Sequence, residues 1–414
     1  MLSLIPSTIT IDLFIHITFV AALALLLPFV GIPSLFLAGL HTYIHPDDVD
    51  DAGIRRRRRP GDSDKPNPRN RSLRDNKLDL DESSKAQIFR LKLTDDRLKS
   101  RTHFDLFSGA FNLTLLSSLS LSLHILLNVD AANSGVVKSG TPIPILMGFL
   151  GIGRLILAVV KVGSAGSEET WKRLGFVFFS GFSTGAFVVF GVIPRWVLDF
   201  TLQEKLDWLG KLILSTLMGC IAGYLYVPAF RSGRCLWLGT DQLRCNLPFV
   251  VVSRGYLSRA LLYASYVMPV FASLLWITPF TEAFARRRRS FDGFRAACMA
   301  ITGGSQILAV RTNVQTFLNE GVLSWYRGLH GSRVPDLEQS RARVFLRDRY
   351  LCSAGVQFFV PPASVLLLVG LSRLVGGGLV EEAVLFLAWW IVVVWGVMCS
   401  VVLVSFRRGS LYIS

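Results

Sequence analysis

Few side chains in this 414-residue chain could do chemistry, and most of those lie inside apolar runs. Arg154 is near the middle of ILMGFLGIGRLILAVVKV (145–162), a stretch apolar enough to span a bilayer. Insertion scales place an arginine at that depth about 2.5 to 3.5 kcal/mol uphill, so it needs a partner, a route to the interface or a polar cavity. Lys161 and Glu168 follow at seven-residue steps, on nearly the same helical face. An anion site or a gating charge is one reading of Arg154. An internal ion pair, with Asp12 or through backbone carbonyls, is the plainer one. A voltage sensor would need several arginines at regular spacing. Lys161 is expected only to snorkel.

Other polar groups fall into short sets. Asp12 and His16 are four apart on one helical face and would suit a proton or cation relay, or simply a helix end at the water interface. Ser117, Ser120, His124 and Asn128 make a stripe, read as a wet pathway or as ordinary interhelical hydrogen bonding. In the segment FDGFRAACMAITGGSQILAV (291–310), Asp292 and Arg295 are one turn apart, and Thr302, Gly303, Gly304, Ser305 and Gln306 follow. A helix broken at those glycines would free carbonyls for an ion; a poorly hydrophobic helix shielded by its neighbours is the alternative. Gln357 precedes Pro361-Pro362 by one turn and is placed to satisfy a carbonyl that the prolines free. GFSTG (181–185) and GCIAG (219–223) are small-residue patterns expected to pack helices closely.

Much chemistry is excluded. His41 and His45 have metal-ligand spacing for a helix, but six histidines without further boxes do not make a membrane di-iron oxygenase. There is no GxSxG, HExxH, P-loop or dinucleotide fingerprint, so neither an enzyme nor a cofactor is expected. The six cysteines form no CxxC; Cys235 and Cys245 are expected in one loop as free cytosolic thiols. The formal charge of +15 points to cytoplasmic loops and anionic headgroups rather than to nucleic acid. Arg55, Arg56, Arg57, Arg58 and Arg59 are the headgroup candidates, with a solvated charge run as the default.

These residues need helices that cross a membrane. Just over half the chain is hydrophobic, and apolar runs near twenty residues recur. The expected fold is an all-α polytopic transmembrane bundle of about nine spans, at 9–30, 104–127, 145–162, 174–193, 209–230, 257–280, 291–310, 350–371 and 384–405. The organisation has five parts. Residues 1–40 hold the first span, read as a signal anchor, and a short interfacial helix. Residues 41–103 form a basic loop, disordered over 47–84, with a surface helix at 85–98. A bundle of about five spans covers 104–280. A basic connection at 281–349 carries the weak span and amphipathic helices. The last two spans and a basic tail complete 350–414. Lys/Arg bias places 41–103, 163–173, 231–256 and 311–349 in the cytosol with the N-terminus outside. Arg286 to Arg289 conflicts with that orientation, and glycan on Asn70 would reverse it.

Three blocks carry a resemblance: HTYIHPDD; GRLILAVVKVGSAGSEETWKRLGFVFFSGF; and VRTNVQTFLNEGVLSWYRGL with RARVFLRDRYLCSAGVQFFVPPASVLLL. In order and character they resemble the transmembrane protein 161 family, in a plant-like branch. The resemblance implies a multi-pass membrane protein without established enzymatic activity, in a family whose animal members are linked to tuning of ionic currents and excitability. It supplies no binding or catalytic residues. Expected partners are anionic membrane lipids and ion channels, pumps or other membrane proteins. The alternative is an ion or solute transporter or channel with a polar pathway around Arg154 and 291–310.

Overall fold

The computed structural model describes residues 7–44, 89–127, 142–165, 179–185, 198–200, 202–240, 256–285, 291–330, 349–375 and 378–411. In chain order its elements are α1 (Ser7–Val30), α2 (Ile32–Leu37), β1 (His41–Ile44), β2 (Phe89–Lys92), α3 (Asp95–Lys99), α4 (Phe104–Leu127), α5 (Pro142–Ala165), α6 (Leu202–Lys205), α7 (Trp208–Thr240), α8 (Tyr256–Leu274), α9 (Thr278–Ala285), α10 (Phe291–His330), α11 (Leu351–Val375) and α12 (Leu379–Arg407). Among the described residues, seven helices (α1, α4, α5, α7, α8, α11 and α12) are long and apolar enough to cross a membrane. The fold is an all-α bundle, as its apolar runs require.

Side-chain contacts fix how the helices run. Thr102 donates to the Arg349 carbonyl (2.8 Å), so α4 and α11 start at one end. Arg311 donates to Ala38 O (2.9 Å), and Trp237 stacks on Phe406, which brings the middle of α10 and the ends of α7 and α12 there too. We name this the His41 end. At the opposite end Lys205 meets Glu382 (3.2 Å) and Arg373 donates to Asp292 O (2.9 Å). The described positions His41, Thr102, Thr240 and Arg349 therefore lie toward one end.

α11 is buried on nearly every side and is the hub. On one flank Phe107, Phe111 and Phe359 pack with Leu155 and Val310. On the other, Met218, Trp276, Met299, Trp389 and Trp395 form the core between α7, α8, α10 and α12. α1 ends at Gly31, whose φ of 63° lets the chain turn into α2, the short helix expected after the first span.

Several expectations need correcting. FRLK within 85–98 is a strand rather than part of a surface helix: β2 pairs antiparallel with β1, His41 opposite Lys92. His41 is therefore on a strand, so the one-turn helical spacing expected for a metal pair does not apply to it, and His45 lies outside the described residues. The weak span and the following amphipathic stretch form one 40-residue helix, α10, about 60 Å long. That is twice the bilayer core, so its last turns extend beyond the hydrocarbon at the His41 end, where Gln315 hydrogen-bonds the His41 N–H (2.8 Å). α7 runs ten residues past the span expected at 209–230, so Cys235 is buried in a helix, with its thiol 3.5 Å from Asn313 O, and not in a loop. The expected span at 174–193 is described only at 179–185. Residues 47–84, Asn70, Asn128, Glu168, Cys245, Arg55 to Arg59 and Arg286 to Arg289 lie outside the described residues.

Candidate functional site

Among the described residues, the longest buried polar seam belongs to α10. Arg295, Thr302, Gln306, Asn313, Thr316, Asn319 and Glu320 are all buried on it. Gln306, Asn313 and Glu320 recur at seven-residue steps, so they share a face. That face looks toward α7, α8 and α11. Gln306 donates to Ser265 O (3.4 Å). Arg234 of α7 forms an ion pair with Glu320 and lies 6.0 Å from the Phe406 ring. Arg231 donates to Gln357 and lies over the Phe317 ring at 5.4 Å. Near the His41 end, Gln315 donates to Asn319 (2.8 Å), which also accepts from Tyr43 (2.9 Å).

Between α7, α8, α10 and α12 this seam borders a small cavity, with room for about one water. Ser232, Ser265, Tyr266, Gln306, Asn313 and Cys399 are among its lining. The Ser232 hydroxyl is buried there without a protein partner. Buried hydroxyls of this kind are usually satisfied by ordered water.

At the opposite end of α10, Arg295 bonds Asp199 (2.5 Å) and Thr281 (2.8 Å), with Asp292 at 3.6 Å. Its guanidinium lies 4.6 Å from the Trp276 ring and 4.4 Å from Phe291. The helix does not break at Gly303-Gly304. Gly303 packs tightly instead: a Cβ there would come within 3.1 Å of Pro362 O and 2.8 Å of Leu366. No carbonyl is freed, so the ion site expected from a broken helix is not formed. Gln357, for its part, accepts from Arg231 rather than repairing the proline gap.

A second set joins α1 to α4. His124 Nδ1 and His16 Nε2 are 3.2 Å apart, both rings buried, with ring centroids at 5.3 Å. One ring must donate and the other accept, so the pair requires at least one neutral imidazole. Asp12 acts electrostatically on the same ring. Ser120 is buried one turn earlier with its hydroxyl unpartnered, while Ser117 donates across to Met147 O on α5 (2.7 Å). The stripe thus divides into one interhelical bond, one orphan hydroxyl and one histidine contact.

Arg154 stands apart from both sets. It is half-buried on α5 and makes no ion pair or hydrogen bond among the described residues. Its guanidinium rests on α4 at Gly109, where a Cβ would come 2.8 Å from a guanidinium nitrogen. The expected pair with Asp12 is ruled out by the antiparallel course of α1: Asp12 sits beside His16 and His124, fifteen residues or about 22 Å along α4 from Gly109. α11 packs between α5 and α10, so Arg154 and the 291–310 segment do not share a pathway.

Tight glycine packing is found at Gly219, whose Cβ would lie 2.5 Å from Ser183 and 2.9 Å from Phe179 O. Gly181 and Gly185 meet nothing within 4 Å, so GFSTG packs through its serine. Sequence reasoning missed Asp199, Ser232, Arg234, Asn313 and Glu320. The seven-residue recurrence of Gln306, Asn313 and Glu320 is a signal that could have found the last two.

No gathering of three or more His, Cys, Asp or Glu able to hold a metal occurs among the described residues. No family model, curated protein or solved structure matches the chain. The architecture defines a multi-pass helical membrane protein, with an internal polar seam and a separate, outward-lying arginine.

Proposed function

We propose that the chain is a non-enzymatic membrane protein that modulates ion transport or membrane excitability by associating with other membrane proteins. One observation carries the choice of accessory over conductor: several buried polar groups of α10 are tied to the elements packed against it, and the space beside them holds about one water. A conductor needs a chain of exchangeable sites rather than a satisfied network. The link to ionic currents rests on the resemblance to the transmembrane protein 161 family, and we place the chain there as part of the same proposal.

The test is reconstitution. Purified protein in liposomes is expected to move no Na+, K+, Ca2+, Cl− or proton. A channel or pump that co-purifies stoichiometrically is expected to show altered current when both are co-reconstituted. The transporter reading is favoured by the unpartnered Ser232 hydroxyl facing Gln306 and Asn313 across the cavity. Flux that is lost in Asn313→Leu while the fold survives would replace the accessory reading with that one.

A further inference from the structure

We propose that Arg154 is the anchor of a specific lipid site, taking the phosphate of an anionic glycerophospholipid from the leaflet at the His41 end. Leu146, Leu150, Arg154, Leu157 and Lys161 follow one another at four, four, three and four residues, so they line a single face of α5. The three leucines are exposed large hydrophobics and Lys161 is exposed as well, so this face is turned to lipid. A guanidinium on such a face has no counter-charge from its own chain among the described residues.

The seat for that group is built. Gly109 leaves open the space the guanidinium occupies, and a side chain there would make the guanidinium shift. Asn112, one turn further along α4, has a side-chain oxygen buried without a partner. Ser117 opposes both Met147 and Gly151, so the level of Arg154 falls at about Ala110 to Thr114, and its guanidinium reaches beyond that to Gly109. The reach is toward the His41 end. Gly109 is about 8 Å along α4 from Phe104, a few ångströms inside the hydrocarbon edge. Lys161 continues the face in the same direction, two turns nearer the headgroups.

Direction decides the ligand. A carboxylate on a neighbouring transmembrane helix would draw the guanidinium sideways at its own depth. Headgroup phosphate draws it along the helix toward the interface, which is the displacement seen. Phosphate also matches the planar arginine fork in a way that a point charge does not. The guanidinium's own positive charge favours a headgroup carrying net negative charge.

The experiment is native mass spectrometry of the delipidated full chain, titrated with phosphatidylglycerol against phosphatidylcholine. Wild type is expected to hold one phosphatidylglycerol with about tenfold preference, the size of one charge-assisted contact. Arg154→Gln is expected to abolish the preference, Gly109→Ala to weaken it, Arg154→Lys to keep part of it, and Arg408→Gln, on the exposed tail, to leave it intact. Thermal unfolding of Arg154→Gln in phosphatidylcholine micelles, at or above the wild-type temperature, shows that the fold survives. Unchanged preference in Arg154→Gln overturns the site. So does a co-purifying protein that is released by Arg154→Gln while phosphatidylglycerol binding stays the same, which would assign the arginine to a carboxylate-bearing helix. Neither result depends on whether the chain conducts ions.

Discussion

Replacing Arg295 by methionine separates a structural arginine from an ion-path arginine. The side chain is 4% exposed and ties three segments together: Asp199, the α8–α9 junction at Trp276 and Thr281, and the first turn of α10. Asp199 is 40% exposed, so its 2.5 Å contact is discounted to about 1 kcal/mol. The Thr281 bond adds about 1 kcal/mol. The two ring faces add about 1.5 kcal/mol together. Methionine restores about 0.5 kcal/mol through sulfur–aromatic contact. It also removes the buried, unpartnered Arg295 Nε–H, worth about 1 kcal/mol in the other direction. The net expectation for Arg295→Met is a loss of about 2 kcal/mol. Asp199→Asn, which keeps a hydrogen-bond acceptor and remains partly in water, should cost less than about 1 kcal/mol. The assay is reversible unfolding in mixed detergent–SDS micelles, followed by tryptophan fluorescence; Trp276 stacks on Phe200 at 4.6 Å and reports on this corner directly. Arg295→Met within about 0.5 kcal/mol of wild type would refute the reasoning. So would Asp199→Asn proving the costlier change.

Two further substitutions probe helix contacts. Gly219→Val is expected to cost about 1 to 3 kcal/mol in the same assay, because its Cβ would sit 2.5 Å from Ser183 and 2.9 Å from a backbone oxygen, whereas Gly181→Ala should be silent. His16→Phe and His124→Phe should each destabilise, while the double variant costs less than their sum by about 0.5 kcal/mol or more, since each single change strands the other buried imidazole.

How much of this was legible in the sequence follows from the range of the forces involved. Apolar runs placed α1, α4, α5, α11 and α12 to within about five residues at each end, because in a bilayer a span is specified by its own composition. α10 was cut in two because its second half carries Asn313, Gln315, Asn319 and Glu320, which hydropathy reads as a loop. Backbone hydrogen bonding continues regardless once α7 and β1 supply partners for those side chains. β2 was misread for a related reason: FRLK is four residues long, and its strand character comes from pairing with HTYI some fifty residues earlier. The site residues divide in the same way. Asp292 with Arg295 is a local pair and was visible. Asp199 and Arg234 act on α10 from other elements, so nothing in the local spacing announces them.

The disposition of charge across the bundle has a physical logic. Lipid tails are as apolar as leucine, so packing and hydrogen bonds, not water exclusion, must set helix register. The α10 seam does this: Gln306 to the α8 backbone, Glu320 to Arg234 and Asn319 to Tyr43 each fix a different neighbour, and each removes a polar group from further use. A side chain committed in that way is poorly placed to bind or release a ligand. Arg154 has no such commitment among the described residues, and it lies where lipid or a partner can reach it. Much of the polarity along α10 therefore serves to fix its neighbours, while Arg154 is turned outward. That arrangement suits a protein that acts on its surroundings in the membrane better than one that passes solute through itself.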